Sequence, residues 1–206
     1  MTPSLEQLES SFERGQLSLS DLLSLRRELG APFKFHPLGF IACTLLTEGT
    51  RKLRLHYWPL AGAAQQSPEC QIHDHLFEFK SWVLAGAVEN VEYIAAPDGV
   101  EFSVYRTEYA GDRSILSKTG ATLRLAEQTR HEYTAGLSYS VQAGVLHETV
   151  RGGTDAAFTA LLTNDVSAAA PTVLGPLAGL DRYVYDRGAL SESIVEEMLA
   201  RTQRFA

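Results

Sequence analysis

The sequence predicts a mainly β protein, an antiparallel sandwich or barrel with helices at both ends, and three observations carry that prediction. Residues 32 to about 165 consist of short runs of β-branched, aromatic and aliphatic residues separated by Gly, Pro, Asp and Asn, which is how strands and their turns read. A helical period occurs only in the first 30 residues and after Ser191, so no crossover helices are available for a parallel sheet. The chain has 206 residues, 45% hydrophobic and 21% charged, enough for one folded domain with a sizeable core.

Taken in order, "SLEQLESSFERG" offers Ser4 as a helix cap, a stripe of Leu5, Leu8 and Phe12, and Gly15 as a stop. "SLSDLLSLRRELG" repeats the arrangement, with Ser18 or Ser20 as cap, Leu22, Leu25 and Leu29 as stripe, and Gly30 as stop. Strands are expected near 38–47, 51–58, 70–75, 77–85, 88–95, 101–109, 121–127, 137–142, 146–151 and 156–163. Residues 165–188 read as a Pro/Gly/Ala-containing tail, and "SESIVEEMLARTQR" as a last helix starting at Ser191 and ending basic. The expected organisation is a helical extension over 1–31, a β-barrel over 32–165, and a tail and helix packed on it over 166–206.

Composition restricts function. A formal charge of -7 and a pI near 5.4 disfavour nucleic acid, whose phosphates require a basic surface. No run of 18 apolar residues is present to span a membrane, and no signal peptide pattern opens the chain, so a cytoplasmic location is expected. The two cysteines, Cys43 and Cys70, form no CxxC and are expected as reduced thiols.

The segment "ECQIHDHLFEFKSWVLAG" places His73 and His75 two residues apart. On a strand, side chains at i and i+2 share a face, so the pair suits two neighbouring ligands on one metal ion. It equally suits a polar strand face with two hydrogen-bonded histidines. A third candidate is His147, at the end of "GLSYSVQAGVLH", where a short strand, a turn at Gly144 and a further strand follow one another. Two β-hairpins, one delivering His73 and His75 and the other His147, would complete a facial triad in the mouth of a barrel.

These segments resemble the two motifs of the cupin superfamily, G-x5-H-x-H-x3,4-E-x6-G and G-x5-P-x-G-x2-H-x3-N. His73, His75 and Gly86 match the first, and Gly136, Gly144 and His147 match the second, all in register. The departures are Ser67 for the first glycine, Phe79 for the glutamate, Gln142 for the proline and Arg151 for the asparagine. The resemblance implies a cupin-type antiparallel β-barrel, that is, a double-stranded β-helix or jelly roll. With Phe79 in the glutamate's place, it implies a metal held by His73, His75 and His147. Glu78 lies one residue early, on the opposite strand parity, and reaches the metal only through a bulge.

A three-histidine cupin is most similar to the cysteine dioxygenase-like, or thiol dioxygenase, branch, and "RKLRLHYWPLAGAAQQSPECQIHDH" and "WVLAGAVENVEYI" lean the same way. That branch implies Fe(II), with O2 as co-substrate and a small thiol or amino-acid-derived substrate; Zn, Ni or Mn are the other ions to consider. Its carboxylate-binding arginine on an early strand has no counterpart in "GFIACTLL"; Arg51 and Arg54 lie on the next strand. Tyr139 and Tyr133 are the candidates for the branch's tyrosine near the metal. Analogy with cupins also makes a homodimer an expected partner state.

Alternation along "RLHYW" turns Arg54, His56 and Trp58 to one side. His56 there is either a catalytic or a satisfied structural histidine. Phe77, Phe79, Trp58 and Arg54 are the expected pocket residues, and the surrounding aromatics read either as core packing or as an apolar pocket for an organic substrate. His36 and His131 are expected at the surface, Cys70 as a buried small hydrophobe, and Asp74 and Glu148 as facing away from the metal. The leading expectation is a metal-dependent cupin oxygenase. A cupin lyase, isomerase or bond-forming enzyme using zinc or another ion, and a non-catalytic small-molecule-binding cupin, are the alternatives.

Overall fold

The computed structural model describes residues 3–60, 69–166 and 171–202. It opens with α1 (Leu5–Glu13) and α2 (Leu19–Leu29), each started by a reciprocal capping box, Ser4 with Gln7 and Ser18 with Asp21. Gly30 ends α2 in the left-handed conformation, as glycine does at low cost. The strands follow as β1 (Lys34–Phe35), β2 (Ile41–Glu48), β3 (Arg51–Trp58), β4 (Ile72–His73), β5 (Phe77–Ala85), β6 (Ala87–Tyr109), β7 (Arg113–Thr134), β8 (Ser138–Val141), β9 (Leu146–Gly152), β10 (Ala157–Asp165), β11 (Thr172–Gly175) and β12 (Arg182–Asp186). Helix α3 (Glu192–Thr202) closes the described chain.

Among the described residues two six-stranded sheets form, with orders β1-β2-β3-β10-β5-β8 and β11-β4-β9-β6-β7-β12, and all their pairings are antiparallel. The mainly β class expected from the sequence is what the structure has. The first sheet is covered on both faces. Leu53, Leu55 and Tyr57 of β3 turn outward to meet Leu5, Leu8, Phe12 and Leu22 of the N-terminal helices and Val195 and Leu199 of α3. Arg26 clamps α2 to α3 through Glu192, with Nη2 donating to Oε2 at 2.6 Å. The alternate residues of β3 turn inward, so that Trp58 packs with Phe79, Tyr139 and Leu161 between the sheets. Each such large apolar side chain removed from water contributes about 1.5–3 kcal/mol.

Several expected elements differ. The strands expected at 88–95 and 101–109 are one strand, β6, whose register slips between Ala95 and Val100 because both face Leu125. The Pro97-Asp98-Gly99 sequence that reads as a break is accommodated as an irregularity, and the partner strand β7 runs on past it. The strand expected at 121–127 is the middle of β7. The segment expected as a tail at 165–188 supplies β11 and β12, which extend the second sheet. The strand expected at 70–75 is regular only at Ile72–His73, because the chain then leaves β9 to reach β5. Ser67 lies outside the described residues. Among the described residues, no helix is long and apolar enough to cross a membrane.

Candidate metal centre

His73 ends β4 and stands in register opposite His147 near the start of β9. Directly opposed residues of an antiparallel pair share a face, so this pairing alone brings two imidazoles together. His75 lies two residues beyond β4, in the short link to β5, and not on a continuous strand as expected. Its backbone is nevertheless fixed. Asp74 N donates to Thr172 O at 3.0 Å, and Gly144 N donates to His75 O at 3.1 Å, so the second motif's turn holds the first motif's ligand segment. The result is a cluster of His73, His75 and His147 whose candidate ligand atoms all lie within 4.8 Å of one another.

The donor set fits a metal ion. His73 and His75 bring their Nε2 atoms to 3.1 Å, where metal–nitrogen bonds of about 2.0–2.1 Å place two adjacent ligands about 3 Å apart. His73 Nδ1 lies 2.7 Å from the Gln71 carbonyl, which can only accept, so Nδ1 carries the proton and Nε2 keeps its lone pair. His147 Nδ1 lies 3.0 Å from Asn90 Oδ1, the same oxygen that accepts from Thr149 Oγ1 at 3.0 Å. That leaves His147 Nε2 buried with no hydrogen-bond partner among the described residues. Burial lowers the pKa of all three histidines, His75 and His147 well below the usual value, and their mutual repulsion adds to this for His75 and His147. They are therefore neutral imidazoles, the form that binds metal.

A chamber of about 40 Å³ lies at the cluster, walled by Phe40, His56, Trp58, Phe79, Tyr139 and Leu161. It adjoins a larger cavity of about 330 Å³, and Arg54, His36, Leu38 and Phe77 border both. The ring of Phe77 stacks on His75 at 4.3 Å between centroids, and Phe79 meets His147 at 5.6 Å. Arg54, Trp58, Phe77 and Phe79 all line the chamber. His56 borders the chamber, its pKa lowered to about 3 by burial and then by Arg54. Tyr139 borders the chamber too, its hydroxyl beside Thr149 and Ser81 and its pKa raised by burial. Tyr133 stacks on Tyr139 at 4.5 Å, one ring removed from the chamber lining.

Glu78 is outside the cluster; its Oε1 accepts from Asn164 Nδ2 at 3.2 Å. Glu148 accepts from Tyr93 Oη at 2.6 Å, and Asp74 Oδ1 accepts from Thr172 N at 2.6 Å. His131 is exposed as expected, but His36 is half-buried rather than exposed. Its turn folds back, with His36 N donating to Phe40 O at 3.0 Å, and its ring stacks on Phe40 at 4.0 Å. Five of the six histidines therefore border one chamber. Sequence reasoning missed Asn90, Thr149, Thr107, Tyr185 and Arg187. Asn90 had a visible signal, a polar residue between Val88 and Val91 in an apolar strand. Arg187 had none, because only the fold carries it to the cavity.

No protein-family model matches the chain, and no curated protein matches it in sequence. The class that the fold and centre define is a two-sheet antiparallel β protein with a buried three-histidine site able to hold a metal ion.

Proposed function

We propose that the chain is a mononuclear non-haem iron oxygenase of the cupin type, acting on a small organic substrate seated in the cavity beside His73, His75 and His147. The observation that carries this reading is His147 Nε2, a buried acceptor without a partner, pointed into a cluster where two more imidazoles converge. The two antiparallel sheets and the ligands at the ends of β4 and β9 support a cupin barrel.

When bound, Fe(II) supplies the capacity to activate dioxygen beside a coordinated substrate, and three neutral ligands favour an anionic substrate donor such as a thiolate. The chain's residues do the rest. Gln71 and Asn90 hold the tautomers of His73 and His147. Phe40, Trp58, Phe77 and Phe79 exclude water, which strengthens every polar interaction inside the chamber. Tyr139 is protonated at neutral pH like any phenol, burial raising its pKa further, and it presents a hydroxyl at the chamber wall.

Three imidazoles are also a donor set for catalytic zinc, which makes a zinc-dependent lyase or isomerase the second reading. Metal analysis of protein purified without chelators, wild type beside His147→Ala, separates the two. About one iron per chain, lost in the variant, with oxygen uptake on adding small thiols or amino acids, is the expected result. Stoichiometric zinc without oxygen uptake favours the second reading. Negligible metal in both proteins, with no uptake after adding Fe(II), overturns both.

A further inference from the structure

The outer cavity has a chemical character that the metal centre does not explain. Six side-chain polar atoms among the described residues are buried without a hydrogen-bond partner, and three of them, Arg54 Nε, Thr107 Oγ1 and Tyr185 Oη, belong to residues lining this one cavity. All three are donors. Arg187 joins them from the end of β12, its Nη1 donating to Ser114 Oγ at 3.1 Å. Neither arginine has a carboxylate within ion-pair distance among the described residues.

We infer that Arg54, Arg187, Thr107 and Tyr185 form an oxyanion subsite, which takes the carboxylate, sulfonate or phosphate end of the substrate whose other end reaches the three histidines. Arg54 and Arg187 are both half-buried, and a charge partly removed from water is ordinarily paired, since leaving it unpaired is costly. Here the nearby acids are committed elsewhere. Asp165 pairs with Lys52 at 2.6 Å, and Asp74, although it borders the cavity, accepts from Thr172 N. The guanidinium of Arg54 lies over the Phe77 ring at 5.0 Å and that of Arg187 over Tyr109 at 5.5 Å. Stacking fixes the plane of each group and leaves its N–H edge for a ligand, the geometry that suits forked recognition of an oxyanion. Burial opposes the charge on both arginines; at Arg54 the field of Asp165 offsets this in part and Arg187 adds to it, so a bound anion relieves the remainder. Arg54 borders the histidine chamber as well as the cavity, so an anion held there keeps its organic part beside the metal site.

The subsite stands on the cavity's own donors; that its anion is a substrate rests on the metal-centre reading. The test is ligand-observed NMR titration with propionate, propane-1-sulfonate, propyl phosphate and neutral propionamide, on chelator-stripped and on zinc-loaded protein. We expect at least one anion to bind wild type in the stripped form at least tenfold more tightly than propionamide, and the order among the three names the group. Arg187→Gln and Arg54→Gln should each weaken that anion tenfold or more, with exposed Arg27→Gln as an unchanged control. Circular dichroism checks folding; if Arg54→Gln does not fold, Tyr185→Phe joins Arg187→Gln as the second variant. Equal binding of amide and anions, or anion affinity unmoved by Arg187→Gln and its partner variant, overturns the subsite. Arginine-dependent anion binding in a protein that retains no metal keeps the subsite and sinks the iron reading; bound metal without anion discrimination does the reverse.

Discussion

His147 donates from Nδ1 to Asn90 Oδ1 at 3.0 Å while its buried Nε2 has no partner among the described residues. The two residues belong to adjacent strands, β9 and β6, and Thr149 donates to the same amide oxygen. Two donors converging on one oxygen fix the amide's orientation, and that orientation fixes which nitrogen of His147 is free. Removing the acceptor releases both the ring and the tautomer. Asn90→Ala is expected to weaken metal binding about 10–100-fold, the usual cost of losing such a supporting hydrogen bond. Asn90→Asp, which still accepts, should restore most of it. Competition titrations of zinc against a chromophoric chelator measure both, and an unaltered affinity in Asn90→Ala removes this role.

Glu78 provides the complementary case. Its carboxylate accepts from Asn164 on the neighbouring strand β10, where the two residues are in register. Glu78→Gln should leave metal affinity within about twofold, whereas His75→Ala, which deletes one of three donors, should lower it far beyond the range set by supporting residues. The same chelator competition reads both variants; a large loss in Glu78→Gln would restore a fourth-ligand role.

The histidines also make stability depend on pH. Burial lowers His56 from 6.5 to about 3 and puts His36 well below its usual value. Below pH 6.5 the unfolded chain binds protons at these sites and the folded chain does not, so unfolding takes up protons and stability falls with pH. Above 6.5 both states are neutral there and the contribution is flat. Between pH 6.5 and 5, where carboxylates contribute little, each such histidine adds a slope approaching about 1.4 kcal/mol per pH unit. Urea denaturation across this window should show the acid decline in metal-stripped protein. His56→Phe should reduce the slope by one histidine's share, and a slope unchanged in that variant would show that His56 titrates normally.

The parts of this fold legible in sequence are those decided by neighbours along the chain. β3 and β5 have the limits expected, 51–58 and 77–85, because glycine turns or a change of direction bound each apolar run. The capping boxes at Ser4 and Ser18 are local too. What was not legible depends on partners distant in sequence. β11 and β12 are only four and five residues long, too short to show a period, and exist because β6 and β7 offer edges to pair with. The same edges bring Tyr185 and Arg187 to the cavity. His36 reads as a turn residue and is one, but the turn is folded onto Phe40 and the chamber. The three histidine positions were legible because motif spacing records a turn and two strand ends, which are local features.

Two glycines matched by that spacing are held for different reasons, and substitution should tell them apart. Gly86 and Gly144 both have left-handed backbones, with φ 68° and 79°. Among the described residues a Cβ on Gly144 meets nothing within 4 Å, so Gly144→Ala incurs backbone strain alone, about 1–2 kcal/mol. A Cβ on Gly86 falls 2.3 Å from the Ala156 carbonyl oxygen and 2.9 Å from Ala157 Cα, backbone atoms at the start of β10. β10 lies between β3 and β5, so it cannot move without disturbing both pairings. Gly86→Ala therefore adds an overpacking cost of about 1–3 kcal/mol to the same backbone strain. Chemical denaturation should rank Gly86→Ala well below Gly144→Ala in stability. The metal centre reverses the order of local effect. Gly144 N donates to His75 O, so Gly144→Ala is expected to weaken metal binding in a protein that is still folded. Equal stability losses in the two variants would mean that the β10 contact yields and that positive φ alone accounts for both glycines.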